Sequence, residues 1–288
     1  MMKLSIVTIN YNNVGGLRRT LASVATQTYR NIEHIIVDAV STDGSVDVIR
    51  EYESSNSLTP NPLTVKWSSE KDEGIYDGMN KGIRRATGDY IWILNSGDCV
   101  ANPNTIEQLV AVLENNTVDI LLGNMIRVYP NGKKVFDAKR VKSATNATPR
   151  PLETSMLTFY RSTVPQDAAF VRRDLFGKYG YFDEKLKICA DWKLYLNMIA
   201  LGEVQPMYVN IDVVLFDMSG ISNENHDLRL AERRAYLKDV LPASVLKDYD
   251  AYAFPIEQYK RLKKYHIWGL VYFIERVFFK FEKWHILK

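Results

Sequence analysis

Cysteine is almost absent: the 288 residues include only Cys99 and Cys189. They lie far apart and in no metal-ligand spacing. Nothing in that pattern suggests a disulfide framework or a zinc site, and the plain reading is two reduced thiols in a cytosolic protein. Long apolar runs are missing too. No segment holds the about 20 uninterrupted apolar residues that a membrane-spanning helix needs. The apolar stretch at residues 4–9 is too short for the hydrophobic region of a signal peptide and reads as a buried first strand. An excess of one charge is lacking, and a net charge of +3 gives no argument for nucleic acid as a partner. No G-x-G-x-x-G follows the first strand, and Gly15-Gly16 is too short to cradle a pyrophosphate. That counts against a nicotinamide-dependent oxidoreductase. Internal repeats and low-complexity segments are absent as well. What remains is 46% hydrophobic and 25% charged, ordinary for a globular protein and sufficient for a substantial core.

The first half alternates strand and helix. Strands are predicted over 4–9, 32–38, 63–67 and 90–94. Between them lie a helix from Val14 to about Thr26 capped by Asn12 or Asn13, one capped by Ser41 or Thr42, and one over 75–86 ended by Gly88. Asn102-Pro103 would open a further helix, with proline at its first position. This order predicts an α/β fold, a mostly parallel sheet flanked by helices. Ligands of such sheets sit beyond the carboxyl ends of the strands, where Asn10-Tyr11, Asp38, residues 68–70 and 95–98 gather. The second half is less regular. A hairpin is expected around Pro130-Asn131-Gly132, an aperiodic loop over 139–163, and a strand near 168–171. Further on, helices are expected over 190–201 and 225–241, with a strand at 204–216.

Four segments can carry chemistry. Asn95-Ser96-Gly97-Asp98 follows an apolar strand. Asp98 can hold a hard divalent cation against a diphosphate, with Gly97 admitting the phosphates, or it can merely cap the next helix. Asp38, in Val37-Asp38-Ala39-Val40-Ser41-Thr42-Asp43-Gly44-Ser45, can accept hydrogen bonds from a base or ribose, or the segment can be a cap alone. The stretch 69–83 packs charge, glycine and asparagine at the front of an amphipathic helix. Gly78 and Gly82, each costing about 1 kcal/mol in a helix, call for a close approach, which tight helix-to-sheet packing also explains. Asp191, opening the helix after Cys189-Ala190, is either a capping carboxylate or a general base.

In this order the four segments resemble the family 2 glycosyltransferases of the GT-A fold. Thr8-Ile9-Asn10-Tyr11-Asn12 is similar to that family's opening strand motif. Residues 38–45 resemble its D-x-x-S-x-D-G-S/T segment, and 70–83 the D-x-G-I-Y-D-A-M-N-K-G-I stretch of one bacterial, cell-surface polysaccharide subgroup. Asn95 to Asp98 resembles its metal motif. Phe182-Asp183-Glu184 with Ala190-Asp191-Trp192 resembles its acceptor-side signature, and 216–222 its G-G-I-S loop.

The resemblance implies a nucleotide-sugar donor held by Thr8, Asn10, Tyr11, Asp38, Asp72, Asn80, Asn95, Gly97 and Asp98. It also implies Mg²⁺ or Mn²⁺ at Asp98, Asp191 as catalytic base, a single inverting displacement, UDP as the nucleotide, and Gly220-Ile221-Ser222 on a mobile lid. Three departures stand out. Gly97 replaces the first of two adjacent aspartates, Pro165-Gln166-Asp167 stands where the subgroup has P-H-Q, and Ser219-Gly220 replaces a paired glycine. His226 is either a surface or capping histidine or the completion of a metal site. A non-catalytic nucleotide-sugar or glycan-binding protein is the competing reading.

The expected organisation is a catalytic domain at 1–225, with a nucleotide-sugar half over about 1–100 and an acceptor half over about 118–225. A C-terminal helical extension follows at 226–288. Within it, 259–288 interleaves basic and aromatic residues, the pattern of a helix that lies in a membrane interface. Docking on the catalytic domain or on a second subunit is the alternative. The membrane reading makes a lipid-linked glycan the acceptor and the inner face of the membrane the location.

Overall fold

The computed structural model describes residues 1–136, 148–219, 225–264 and 269, with 254–264 as backbone only. Two compact units divide the chain, 1–234 and 235–288. In the first, apolar runs of strand length form β1 (Leu4–Asn10) and β2 (Ile32–Asp38), both covered on their two faces. They pair in parallel from Leu4 opposite Ile32 to Asn10 opposite Asp38. β3 (Thr64–Ser69) extends the sheet beside β2, and β4 (Tyr90–Ile93) lies on the other side of β1. All four strands point one way, so their carboxyl ends share one edge.

The intervening helices are α1 (Val14–Ala25), α2 (Ser45–Ser57) and α3 (Ile75–Arg85). Asn13 caps α1 by accepting the Gly16 N–H at 3.1 Å. α2 differs from the expectation. Ser41 and Thr42 are engaged with Asp38 and Asn12, and the helix starts at Ser45 behind Gly44 at φ 92°. α3 presses onto β1: a Cβ at Gly82 would stand 2.2 Å from Val7 Cγ1, and one at Gly78 3.4 Å from Ile9 Cγ2. The close-packing explanation therefore holds for Gly82, whereas at Gly78 the atom a Cβ would meet first is Asp72 Oδ2, at 3.2 Å.

Beyond β4 come β5 (Cys99–Val100), α4 (Thr105–Glu114), β6 (Ile120–Val128), β7 (Lys134–Phe136), β8 (Arg150–Pro151) and α5 (Met156–Arg161). Next are a single turn at Gln166–Ala168, β9 (Ala169–Arg172), α6 (Asp174–Tyr179), α7 (Ala190–Tyr195), which widens into a π-type segment at Leu196–Leu201, and β10 (Pro206–Asp217). The sheet runs β3-β2-β1-β4-β9-β6-β10-β5, with β7 on β6 and β8 on β10. β6 and β10 are parallel to each other, and β9 is antiparallel to both β4 and β6. The sheet is thus mixed but mostly parallel.

Two further expectations need correction. α4 begins at Thr105 rather than at Pro103, because the Thr105 hydroxyl accepts the Asn102 N–H and holds the preceding turn. The expected loop over 139–163 contains α5, closed by a reciprocal cap between Ser155 and Thr158; part of that stretch, 137–147, lies outside the described residues. α8 (His226–Val240) and α9 (Ala243–Lys264) follow. Leu237, Leu246 and Ala253 are the buried side chains described in the second unit. Among the described residues no helix is long and apolar enough to cross a membrane.

Candidate active site

At the carboxyl ends of β1 to β3, Asp38 is fully buried and its carboxylate is saturated. Oδ1 accepts from Asn10 Nδ2 (2.9 Å) and Ser41 Oγ (2.6 Å), and Oδ2 from the Ser41 N–H (2.9 Å) and Ser69 Oγ (2.7 Å). Burial alone would push its pKa up; the donors from Ser41, Asn10 and Ser69 outweigh that and hold it below the usual carboxylate range. Asn10 keeps its buried Oδ1 without a partner. Around this point the backbone is strained. Val40 has φ 57°, which a β-branched residue rarely adopts, and Asn12 has φ 46°. Tyr11 is 68% exposed at the same edge. Asp72 is half-buried; burial raises its pKa, and the charges of Asp77 and Asp38 add to the effect.

The second part of the edge follows β4. Gly97, at φ 111°, turns the chain, and the Thr20 hydroxyl accepts its N–H (2.9 Å) while donating to the Asp98 carbonyl (2.7 Å). Asp98 is 4% exposed and accepts the Asp217 N–H at 2.8 Å. It caps no helix, because β5 follows it directly. Burial, then the charges of Asp167 and Asp217, raise its pKa well above the ordinary value. Asp217 is ion-paired to Arg19 at 3.0 Å.

The third part belongs to the β9 and α7 side. Asp191 is half-buried in the first turn of α7. Burial raises its pKa, against the Trp192 N–H, the Arg233 charge and the Tyr76 hydroxyl, which stands 3.5 Å from Oδ1. Asp167, on the turn before β9, is pushed up to about 7 by burial and by the charge of Asp191. Asn95 reaches toward it, Nδ2 to Oδ1 at 3.4 Å, and leaves its own buried Oδ1 without a partner. Asp167 thus lies under the influence of Asp191 and exerts its own on Asp98, which makes one electrostatically linked row of three carboxylates.

Asn10, Tyr11, Asp38, Asp72, Asn95, Gly97 and Asp98 stand at the carboxyl ends of β1 to β4 or on the segments that follow them, and Asp191 opens α7, where its charge acts on Asp167. Thr8 and Asn80 lie elsewhere. Thr8 is fully buried one repeat deeper on β1, with its hydroxyl donating to the Leu94 carbonyl (2.8 Å) and meeting the His34 ring (3.0 Å). Asn80 is 1% exposed and clamps the chain at 182–184, accepting the Phe182 N–H and donating to the Phe182 carbonyl and to Glu184. Both side chains are engaged in internal ties. Asp167 and Asp217 are the acidic residues that sequence reasoning left out of the site; the departure at Pro165-Gln166-Asp167 was the available signal for the first. His226 opens α8, and its Nδ1 lies 2.8 Å from Arg229 on the surface. Gly220-Ile221-Ser222 lies outside the described residues.

Residues 5–180 match the family model described as glycosyl transferase family 2. The chain belongs to glycosyl transferase family 2. An uncharacterized glycosyltransferase of Mycobacterium tuberculosis is 31% identical over 222 residues, 76% of this chain and 77% of the relative. The crystal structure of Staphylococcus aureus TarS 1–349 in complex with UDP-GlcNAc is similar with a TM-score of 0.59 at 23% identity; the match covers 76% of this chain but only 59% of that one. A mannosyltransferase from Pyrobaculum calidifontis, solved with GDP-Man and Mn²⁺, is similar with a TM-score of 0.55 at 19% identity, over 81% of this chain and 61% of that one. These structural likenesses establish the GT-A fold. Family membership makes the chain a glycosyltransferase that uses a nucleotide sugar.

Proposed function

We propose that this family 2 glycosyltransferase moves a sugar from a UDP-linked donor to an acceptor hydroxyl with inversion, using a divalent cation at Asp98 and Asp191 as base. The observation that supports the reading is the electrostatic linkage of Asp98, Asp167 and Asp191, which sets the proposed metal ligand and the proposed base in one neighbourhood. Asp38, with Asn10, Ser41 and Ser69, suits the nucleoside. An Asp191 carboxylate raised by burial is more basic than a solvated one and suits proton abstraction from an alcohol. The unpartnered Oδ1 of Asn95 suits a donated hydrogen bond from a sugar hydroxyl. No second carboxylate is assigned as nucleophile, consistent with a single displacement.

The donor chemistry of Asp98 fits a hard cation. It offers carboxylate oxygen, and its reluctance to ionise beside Asp167 and Asp217 is what a bound cation relieves. Among the described residues no three His, Cys, Asp or Glu side chains converge on one point. The protein's share is then one or two carboxylates, with substrate phosphates supplying the rest, as Mg²⁺ sites commonly require. When bound, the cation neutralises charge on the departing diphosphate. The basic, aromatic 259–288 stretch would bring the enzyme to a membrane whose lipid-linked glycans present the acceptor. Apart from the backbone of 259–264 and Gly269, that stretch lies outside the described residues.

The test is nucleotide release from UDP-glucose, UDP-GlcNAc, UDP-galactose and GDP-mannose with Mn²⁺, repeated after EDTA. The expected result is UDP release from at least one UDP-sugar, falling at least about tenfold on chelation. Release that survives chelation would remove the cation from the proposal, and silence across the panel would remove the donor class.

A further inference from the structure

Helix α8 reaches back to the turn that presents Asp191. Glu232 Oε1 accepts the Lys187 N–H at 2.7 Å, and Oε2 accepts those of Ile188 (3.1 Å) and Cys189 (2.9 Å). One carboxylate thus serves three successive amides directly before α7 begins. The N-cap of α7, Cys189, makes no capping bond with its own side chain. Its Sγ instead meets the Arg229 carbonyl of α8 at 3.5 Å. Beside Glu232, Arg233 lays its guanidinium over the Trp192 ring, 5.2 Å from the centroid, and its charge acts on the Asp191 carboxylate. The Nε of Arg233 is buried without a hydrogen-bond partner. A tie made for packing alone would not need a cation with an unsatisfied buried nitrogen, which costs stability.

We propose that Glu232 and Arg233 are positioning residues for the general base, Glu232 fixing the turn that aims Asp191 and Arg233 standing as its charge partner. The proposal rests on the reading of Asp191 as base. The titratable and charged groups facing Asp191 are Tyr76 from α3, Asp167 ahead of β9, Arg233 from α8, and Cys189 and Tyr195 from its own segment. Tyr76 and Arg233 favour its ionised form, and burial opposes it.

The experiment uses the full chain labelled with ¹³C at aspartate carboxyls, the Asp191 signal being assigned by its loss in Asp191→Asn. In Arg233→Gln the Asp191 titration and the acid limb of the pH–rate profile should both move up by about one pH unit. Arg233→Lys, which keeps the charge, should restore most of the shift. Glu232→Gln should speed amide exchange at 187–189 and lower kcat about tenfold or more, with donor KM nearly unchanged. Glu232→Asp serves if the glutamine variant does not fold. Sugar transfer is followed with whichever of the four donors above is turned over, and the titration needs no substrate. An unmoved Asp191 titration in Arg233→Gln, or an unchanged kcat in the Glu232 variants, with Asp191→Asn inactive, overturns the positioning proposal alone. An active Asp191→Asn overturns the base reading, and the proposal with it.

Discussion

Asp167 shows how strongly this site works against its own charges. Its folded pKa lies near 7, above the ordinary carboxylate value, through burial and the charge of Asp191. The folded state therefore binds a proton more tightly than the unfolded chain, and stability falls as pH rises from about 4 to about 7. Asp167→Asn removes that penalty. Thermal unfolding in EDTA should show the variant more stable than wild type at pH 8 and no more stable at pH 4; a variant less stable at pH 8 would refute the argument. Asp98 and Asp191 stood out as candidates in the sequence because each sits at a recognisable junction, one after an apolar strand and one opening an amphipathic helix, and the family resemblance supplied their proposed roles. Asp167 did not stand out, since a lone aspartate before a short strand carries no periodic signal, and its meaning comes from contacts made across the sheet. Thr8 and Asn80 were named from motif order, and the structure engages both side chains internally. Motif order places them near the ligand, but depth along a strand and the direction of a helix face decide what a side chain touches.

Among the elements, the parallel run β3-β2-β1-β4 was readable because fully buried strands are continuous apolar runs bounded by turns. The four-residue β9 was readable as a strand near 168–171, but its antiparallel pairing was not, because its partners β4 and β6 are distant in sequence. α5 escaped because six residues are too few for a helical period to declare itself. The glycines of α3 were informative at this scale. A methyl at Gly82 would overlap Val7 on buried β1, so Gly82→Ala should destabilise the protein by about 1–3 kcal/mol, the usual cost of overpacking. Urea denaturation measures it. A neutral or stabilising result would mean that α3 can move off the sheet without penalty.

On the scale of the whole molecule, residues 5–180, matched by the family model, fall within the compact unit 1–234, and the candidate site lies on the strand edge that doubly wound sheets use for ligands. The tail belongs to a different physical problem. If 259–288 binds an anionic interface, the full chain should co-sediment with phosphatidylserine-containing vesicles and release at high salt. A chain ended at Gln258 should remain in solution while keeping its turnover of a soluble acceptor. Equal sedimentation of the two would leave the tail a role within the protein or its assembly.

The division of labour between Asp98 and Asp191 is tested most directly by one pair of numbers on Asp191→Asn: the Kd for UDP with Mn²⁺ by calorimetry, and the rate of sugar transfer. The account predicts a Kd within about threefold of wild type and a transfer rate lower by about 100-fold or more. Transfer at close to the wild-type rate, or nucleotide binding lost together with transfer, would contradict it.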